Sequence, residues 1–143
     1  VRLVVIGGKA PQISGVTIDE IAWSEKAEVA QLNNFDVGVM PLPNDDWACG
    51  KCAFKLIQYM ACGIPVIASR VGANVDVVTP DCGVLVGSEQ EWVEALLSLR
   101  AQSARRKSMG EAARARVVEE YSLRRNLPAL AQVVHQVVGR GAA

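Results

Sequence analysis

Short, nearly unbroken apolar runs recur along the chain, separated by polar or helix-patterned stretches. Runs of this kind are typical of strands buried on both faces of a parallel sheet, because such strands show no alternation with polar residues. The clearest run is at residues 3–6, where every side chain is apolar. The pattern predicts strands at residues 3–6, 16–22, 37–42, 65–68 and 84–86.

Two helices are predicted between these strands. One covers residues 25–33 with Ser24 as its N-cap, and the other covers residues 51–61 after a polar loop at 43–50. Strands that alternate with helices form βαβ units, which give parallel sheets. The prediction is therefore an α/β fold with a Rossmann-like parallel sheet flanked by helices.

From residue 88 onward the chain is predicted to be a helical C-terminal tail. Its first apolar residues recur at helical spacing: Trp92, Ala95, Leu96 and Leu99. Ser103 and Ser122 are predicted to cap two further helices, since serine oxygens accept hydrogen bonds from the first N–H groups. Pro128 should bend the last helix or delay its start, because proline lacks the N–H that a helix interior uses.

The composition excludes several classes of protein. The chain has 143 residues, half of them apolar, which suffices for one domain with a core, and its formal net charge is zero. The sequence has no basic stripe, so nothing suggests a nucleic-acid partner. No apolar run approaches the roughly 20 residues that span a bilayer. No signal peptide is visible and four cysteines form no disulfide framework, so we expect a cytoplasmic protein.

The chain begins inside an apolar run, at Val1 rather than at a methionine. Natural domains rarely begin in this way. We therefore expect a fragment that lacks at least one strand and an N-terminal domain.

A helix opened by glycine is predicted where the candidate chemistry is concentrated. Gly50 precedes this helix, and Lys51 and Lys55 lie in or near its first turn. Free N–H groups and the helix dipole make a helix N-terminus a site for phosphate. A lysine there opposes the dipole, so an anionic ligand would account for its presence.

A second glycine loop follows the strand predicted at residues 65–68. It contains Gly72, Ala73 and Asn74. Open α/β sheets bind ligands at loops of this kind. Gly72 is expected to supply a positive φ or to let the backbone approach a ligand closely.

Several segments resemble one known family, in that family's order. The run YMACGIPVIAS at residues 59–69, followed by VGAN at 71–74, resembles the donor-binding segment of the family 4 retaining glycosyltransferases of GT-B type. Further resemblances lie in LVVIGG at 3–8, DVGVMP at 36–41, GVLV at 83–86 and YS at 121–122. Lys9 stands where the family has the last glycine of its first motif.

The resemblance implies that residues 1–143 are the C-terminal donor-binding domain of a glycosyltransferase whose N-terminal acceptor domain is absent. The full-length enzyme would transfer a sugar from a nucleotide sugar to an acceptor, with retention at the anomeric carbon. The nucleotide sugar is a substrate, no cofactor or metal is implied, and any membrane association would come from the missing parts. The residues assigned to the donor are Gly50, Lys51, Lys55, Gln58, Gly72, Ala73 and Asn74.

The donor segment departs from the family at two positions. The family has two glutamates eight positions apart, one near the sugar of the donor and one near its ribose. Gly50 and Gln58 occupy those positions here. Gln58 can still hydrogen-bond a ribose hydroxyl, whereas Gly50 has no side chain to offer. No catalytic residue is assigned, and a domain that binds a nucleotide sugar without turning it over stays an alternative.

Another alternative comes from Cys49 and Cys52, which form a CxxC pair before the predicted helix. Thioredoxin-like redox proteins use such a pair at a helix N-terminus to lower a thiol pKa. The long resemblance after Cys52 weighs against redox chemistry, and the lack of a second CxxC pair weighs against a zinc site.

Two further residues receive no functional assignment. Trp23 lies where the resembling family places the nucleotide base, and an aromatic side chain there could pack near the base. We expect instead a tryptophan buried in the core. His135, the single histidine of the sequence, is not expected to be catalytic.

Overall fold

The structure, a computed structural model, describes residues 1–140 and divides into two compact units, Val1–Asn34 and the chain from Phe35 onward. The strands are β1 (Arg2–Ile6), β2 (Thr17–Ile21), β3 (Gly38–Met40), β4 (Val66–Ser69) and β5 (Gly83–Val86). The helices are α1 (Glu25–Leu32), α2 (Asp46–Cys49), α3 (Phe54–Ala61), α4 (Asn74–Val77), α5 (Glu89–Ala101), α6 (Ser103–Arg116) and α7 (Leu123–Arg140). Parallel sheets with helices confirm the predicted α/β fold, with two separate sheets, β1-β2 and β3-β4-β5, in place of one.

The first unit is built on the parallel pair β1 and β2, in which Arg2 lies opposite Thr17 and Ile6 lies opposite Ile21. Strand β1 is half-buried, so the prediction that both of its faces are buried is wrong. Within the described residues β1 pairs with β2 alone, and a two-stranded sheet cannot cover it fully. After β1 the chain turns at Gly7, which has a φ of +71° and donates its N–H to the Ile21 carbonyl at 2.9 Å.

Glu20 holds the loop that follows this turn. Its carboxylate accepts hydrogen bonds from the Ala10 N–H at 2.8 Å and from Lys9 Nζ at 3.0 Å. These two contacts, the backbone one first, lower the pKa of the Glu20 carboxyl below its ordinary value. Lys9, which replaces the glycine of the resembling family, therefore has a structural partner.

Trp23 is not a core residue, contrary to the expectation. Its side chain is 56% exposed, and its indole N–H donates to Glu28 Oε1 at 3.1 Å. An indole N–H needs a hydrogen-bond partner, and the exposed carboxylate of α1 supplies one at the surface. The backbone beside it is crowded, since a Cβ at Gly7 would lie 2.9 Å from Trp23 Cβ.

Strand β4 is the centre of the second unit, parallel to β3 on one side and to β5 on the other. All four of its residues are buried. Because side chains alternate across a strand, Val66 and Ala68 join one hydrophobic cluster and Ile67 joins another. Helix α3 contributes Leu56 to the first cluster, and helix α5 contributes Leu99 to the second. The sheet is therefore covered on both faces.

The turn from α3 into β4 depends on glycine. Gly63 has a φ of +72° and donates its N–H to the Met60 carbonyl at 2.9 Å, while the Ile64 N–H donates to the Tyr59 carbonyl at 3.1 Å. This pair of bonds is the Schellman motif, which favours glycine in the left-handed position. A Cβ at Gly110 of α6 would overlap the Gly63 carbonyl, so the two backbones are in direct contact.

The tail is helical as predicted, with α5, α6, a π-helical segment at Val117–Tyr121 and α7. Ser122 caps α7 as predicted, since its Oγ accepts a hydrogen bond from the Arg125 N–H at 3.2 Å. The cap predicted at Ser103 is displaced by one residue. Gln102 is the N-cap of α6, no side chain makes the capping bond, and Ser103 is the first helical residue.

Helix α7 begins at Leu123, so Pro128 lies inside it and does not delay its start. His135 is exposed on the same helix. The described residues also leave its apolar face uncovered, with these side chains exposed: Leu123, Leu127, Leu130, Val133, Val134, Val137 and Val138. Between residues 1 and 140, no helix combines the length and the apolar character needed to cross a membrane.

Two arginines of α6 reach the carboxyl ends of other helices. Arg114 donates to the Ala61 carbonyl at the end of α3, at 2.5 Å. Arg116 donates to the Val77 and Asp76 carbonyls of α4, at 2.9 and 2.7 Å. Guanidinium groups in these positions satisfy orphan carbonyls and offset the negative end of the helix dipole. Helix α6 therefore joins α3 and α4 to the tail.

Candidate functional site

The carboxyl ends of β3, β4 and β5 lie at one edge of the second sheet, because the three strands are parallel. Helix α3 connects β3 to β4 and runs back along the sheet, so its N-terminus lies at this edge. Helix α5 follows β5 and starts at the same edge. Open α/β sheets bind their ligands at this end of the strands.

Ser69, the last residue of β4, organises the loops at this edge. Its Oγ accepts a hydrogen bond from the Leu42 N–H at 2.8 Å, which joins the end of β3 to the end of β4. Its carbonyl accepts a hydrogen bond from Asn74 Nδ2 at 2.9 Å. The Asn74 side chain is buried, so this amide serves the packing of the second glycine loop.

The segment around Gly50 and the loop at residues 72–74 meet at this edge, and we call them the two glycine loops. The positive φ predicted for Gly72 is confirmed, at +50°. A Cβ at Gly72 would lie 2.6 Å from the Cys49 carbonyl oxygen and 2.9 Å from Cys49 Cα. Cys49 directly precedes Gly50, so the fold brings the Gly72 loop against the segment that leads to Lys51.

The helix predicted at residues 51–61 begins later, at Phe54. Ala53 has a φ of +54°, which a right-handed helix does not accommodate, and it separates Lys51 from the helix. Lys51 therefore lies before the first turn of α3, while Lys55 lies within it. No side chain caps α3, and its first turn contains no acidic residue.

A short helix, α2, occupies part of the polar loop predicted at residues 43–50. Asp45 caps it, with Oδ1 accepting a hydrogen bond from the Ala48 N–H at 2.7 Å. Ala48 is buried and anchors α2. Gly50 therefore ends α2, where the sequence predicted that it opens the following helix.

Burial divides the seven predicted donor residues into three groups. The exposed ones are Gly50, Lys51 and Lys55, the half-buried ones are Gln58, Gly72 and Ala73, and Asn74 is buried. Ala73 packs against the cluster beneath α3, so it supports the loop from below. The side chains available to a ligand from solvent are therefore those of the two lysines and, in part, that of Gln58.

An open groove of about 370 Å³ lies at the same edge and was not predicted from the sequence. Its polar lining is Asn44, Ser69, Arg70, Ser88 and Glu89, with Trp92 on its apolar side. None of the seven predicted donor residues lines it. A usable signal was present, since these polar residues follow the apolar runs of β3, β4 and β5 in the sequence.

The cysteine pair does not form the arrangement of a thioredoxin-like protein. Cys49 is the last residue of α2 and Cys52 lies in the segment before Ala53, so neither cysteine is at the start of a helix. The Cys49 thiol donates to Asn44 Oδ1 at 3.8 Å. None of the four cysteines, all within the described range, is in a disulfide, and no three metal-binding side chains converge in residues 1–140.

Comparison with known proteins identifies the sequence family. The family model for glycosyl transferases group 1 matches residues 1–102. The GDP-mannose-dependent monoacylated alpha-(1-6)-phosphatidylinositol monomannoside mannosyltransferase of Corynebacterium glutamicum is 41% identical over 68 residues. This match covers 46% of the chain and 18% of that enzyme.

Solved structures share the fold. Sucrose-phosphate synthase from Thermosynechococcus elongatus has a TM-score of 0.75 and 23% identity, over 96% of this chain and 39% of that one. HepE from Anabaena, in complex with UDP, has a TM-score of 0.65 and 14% identity, over 83% of this chain and 32% of that one. The C-terminal domain of a group 1 glycosyl transferase from Francisella tularensis has a TM-score of 0.64 and 19% identity, over 76% of this chain and 56% of that one.

The chain spans less than two thirds of the length of each of these proteins. The family assignment rests on the sequence, because the structural matches have low identity and show the fold alone. Since the family model covers most of the sequence, the chain belongs to the group 1 glycosyltransferases.

Proposed function

We propose that this chain is the C-terminal, nucleotide-sugar-binding domain of a retaining, family 4 glycosyltransferase with GT-B architecture. In the full-length protein it holds the donor while an N-terminal domain holds the acceptor. The observation that carries the proposal is the contact of Gly72 with Cys49, which joins both glycine loops beside Lys51. This contact lies at the sheet edge where open α/β folds bind ligands.

The diphosphate of the donor is assigned to the N-terminus of α3. This helix end has no side-chain cap and no acidic residue in its first turn, so its dipole and N–H groups favour an anion. Lys51 and Lys55 are both exposed and add positive charge next to it. Lys51 therefore comes from the segment before α3, and Lys55 comes from the first turn of α3.

Gln58 is assigned to the ribose of the donor. It lies three residues after Lys55, so both side chains are on one face of α3. Its amide can donate to one hydroxyl and accept from another. Gln58 is half-buried, which limits the rotamers it can adopt and favours a fixed contact.

Titration with nucleoside diphosphates tests the proposal. The relative from Corynebacterium glutamicum is GDP-mannose-dependent, and HepE was solved with UDP and with UDP-glucose. GDP and UDP, with ADP for comparison, are therefore the ligands for isothermal calorimetry. We expect saturable binding of at least one of them, and absence of binding by all three would overturn the proposal.

Lys51→Ala is expected to weaken nucleoside-diphosphate binding by about 1.5–3 kcal/mol, the range for a hydrogen bond to a charged group. Calorimetry at fixed salt measures the change. Lys107→Ala is the matched control, because Lys107 is an exposed lysine on α6 of the same unit. Equal affinities of the two variants would mean that Lys51 is an ordinary surface lysine that does not contact the donor.

The isolated chain is expected to turn over no nucleotide sugar. The proposed acceptor site lies in another domain, and catalysis needs both substrates held in one geometry. Release of nucleoside diphosphate from UDP-glucose or GDP-mannose is the measurement, with boiled protein as the blank. Turnover above the blank would contradict the two-domain proposal.

Gly50 favours a second candidate function, which is donor binding without transfer. The resembling family has a glutamate at this position, and glycine supplies no carboxylate to the sugar. Full-length protein that binds the donor but neither hydrolyses nor transfers its sugar would support this candidate. Turnover by the full-length protein would exclude it.

A further inference from the structure

The cysteines Cys49 and Cys52 have no part in the proposed sugar transfer, yet they flank Gly50 and Lys51 of the candidate site. Both are exposed, whereas Cys62 is half-buried and Cys82 is buried. The Cys49 backbone is in contact with Gly72 of the second glycine loop. A covalent change at this pair would therefore act on both glycine loops.

The backbone next to the cysteine pair forms a β-turn. The Lys51 N–H donates to the Ala48 carbonyl at 3.2 Å, which closes a turn over residues 48–51. Gly50 has a φ of −79° and a ψ of −3°, the values of the third residue in a type I turn. Such a turn brings its first and last Cα atoms within about 7 Å, and a disulfide needs about 4.4–6.8 Å.

Cys49 and Cys52 are spaced as the ends of a turn, but they lie one residue beyond the turn that is present. A turn moved forward by one residue, from 48–51 to 49–52, would bring their Cα atoms within the range of a disulfide. That movement breaks the hydrogen bond between the Lys51 N–H and Ala48, and it displaces Lys51. The Cys49 backbone would move as well. It already lies so close to Gly72 that a Cβ on that glycine would overlap it.

We propose that Cys49 and Cys52 form a reversible disulfide that lowers the affinity of the site for its nucleotide donor. The pair is a modification site, which differs from the active centre of a redox enzyme. The formation of the bond depends only on the two thiols and the turn. Its effect on affinity rests on the proposed donor-binding function.

The disulfide forms by exchange with a low-molecular-weight disulfide such as oxidised glutathione. One protein thiolate attacks a glutathione sulfur, forms a mixed disulfide and releases one glutathione. The second protein thiolate attacks the protein sulfur of the mixed disulfide and releases the other glutathione. Two protein thiols are oxidised, the glutathione disulfide is reduced to two thiols, and those thiols take up the two protons.

The test compares reduced protein with protein treated with oxidised glutathione. Peptide mapping after alkylation should locate a link between Cys49 and Cys52, and dithiothreitol should remove it. Calorimetry with GDP and UDP should show an affinity about tenfold lower in the oxidised protein, which corresponds to about 1.4 kcal/mol.

Two variants serve as controls. The double variant Cys49→Ser with Cys52→Ser has neither thiol of the pair, so it should bind nucleotide like the reduced protein before and after treatment with oxidised glutathione. Cys62→Ser keeps the pair and should keep the full response to oxidised glutathione. A response that survives in the double variant would overturn the proposal.

Other outcomes are equally decisive. Stable glutathione adducts on both cysteines without an internal link would overturn the proposal, and so would a link that leaves nucleotide affinity unchanged. If neither form binds any nucleotide, the proposed function fails, and hydrogen exchange of the Lys51 amide then decides on the turn movement. Faster exchange after oxidation supports that movement, and unchanged exchange overturns it.

Discussion

Leu56→Ala is expected to lower the free energy of unfolding by about 2–5 kcal/mol. The Leu56 side chain is fully buried, with 0% exposure, in the cluster between α3 and β4. Truncation removes buried apolar contacts and leaves a cavity that the neighbouring Met60 and Val66 cannot fill without moving their backbones. Urea denaturation followed by circular dichroism measures the loss.

Leu97→Ala is the matched control for this substitution. Leu97 lies on α5 and is 55% exposed, so its truncation should change the free energy of unfolding by less than about 0.5 kcal/mol. Equal losses in the two variants would mean that α3 does not pack on β4 as described.

Gly72→Ala is expected to lower the free energy of unfolding by about 2–4 kcal/mol, because it combines backbone strain with overpacking. An alanine there must adopt a φ of +50°, and its Cβ would lie 2.6 Å from the Cys49 carbonyl oxygen. The two glycine loops would have to separate, so nucleotide affinity should fall as well. Denaturation and calorimetry on the same preparation measure both effects.

Gly15→Ala separates the two causes. Gly15 has a φ of +76°, but a Cβ there would meet nothing within 4 Å. Its loss should be the strain alone, about 1–2 kcal/mol, with nucleotide affinity unchanged. If both glycine variants lose the same stability and neither loses affinity, the close contact between the loops is not a feature of the molecule in solution.

The strands could be predicted from the sequence because a buried strand appears as a short run of apolar residues. The continuous apolar run before Ser69 placed β4 within one residue of its observed bounds, Val66–Ser69. No comparable pattern in the sequence marks the start of α3. Alanine is a strong helix former, so nothing local showed that Ala53, which is buried, would adopt a positive φ and delay the start of the helix to Phe54.

The candidate site was predictable in its parts and not in its assembly. Gly72 stood out because a glycine after a buried strand suggests a special φ, and that φ is observed. Its contact with Cys49 joins residues that are distant in sequence, and only the parallel pairing of β3 with β4 brings them together. Arg70 and Ser88 were missed for the same reason, since they share a groove only because β4 and β5 end side by side.

The hydrogen bonds from Arg114 and Arg116 bear on how this chain can be shortened or exchanged between proteins. The family match ends at residue 102, and every residue assigned to the donor precedes that point. A piece cut there would retain the whole recognition sequence, yet the carboxyl ends of α3 and α4 would lose their guanidinium partners. The smallest module that can be transplanted is therefore set by the chemistry of helix ends, and it extends at least to residue 116.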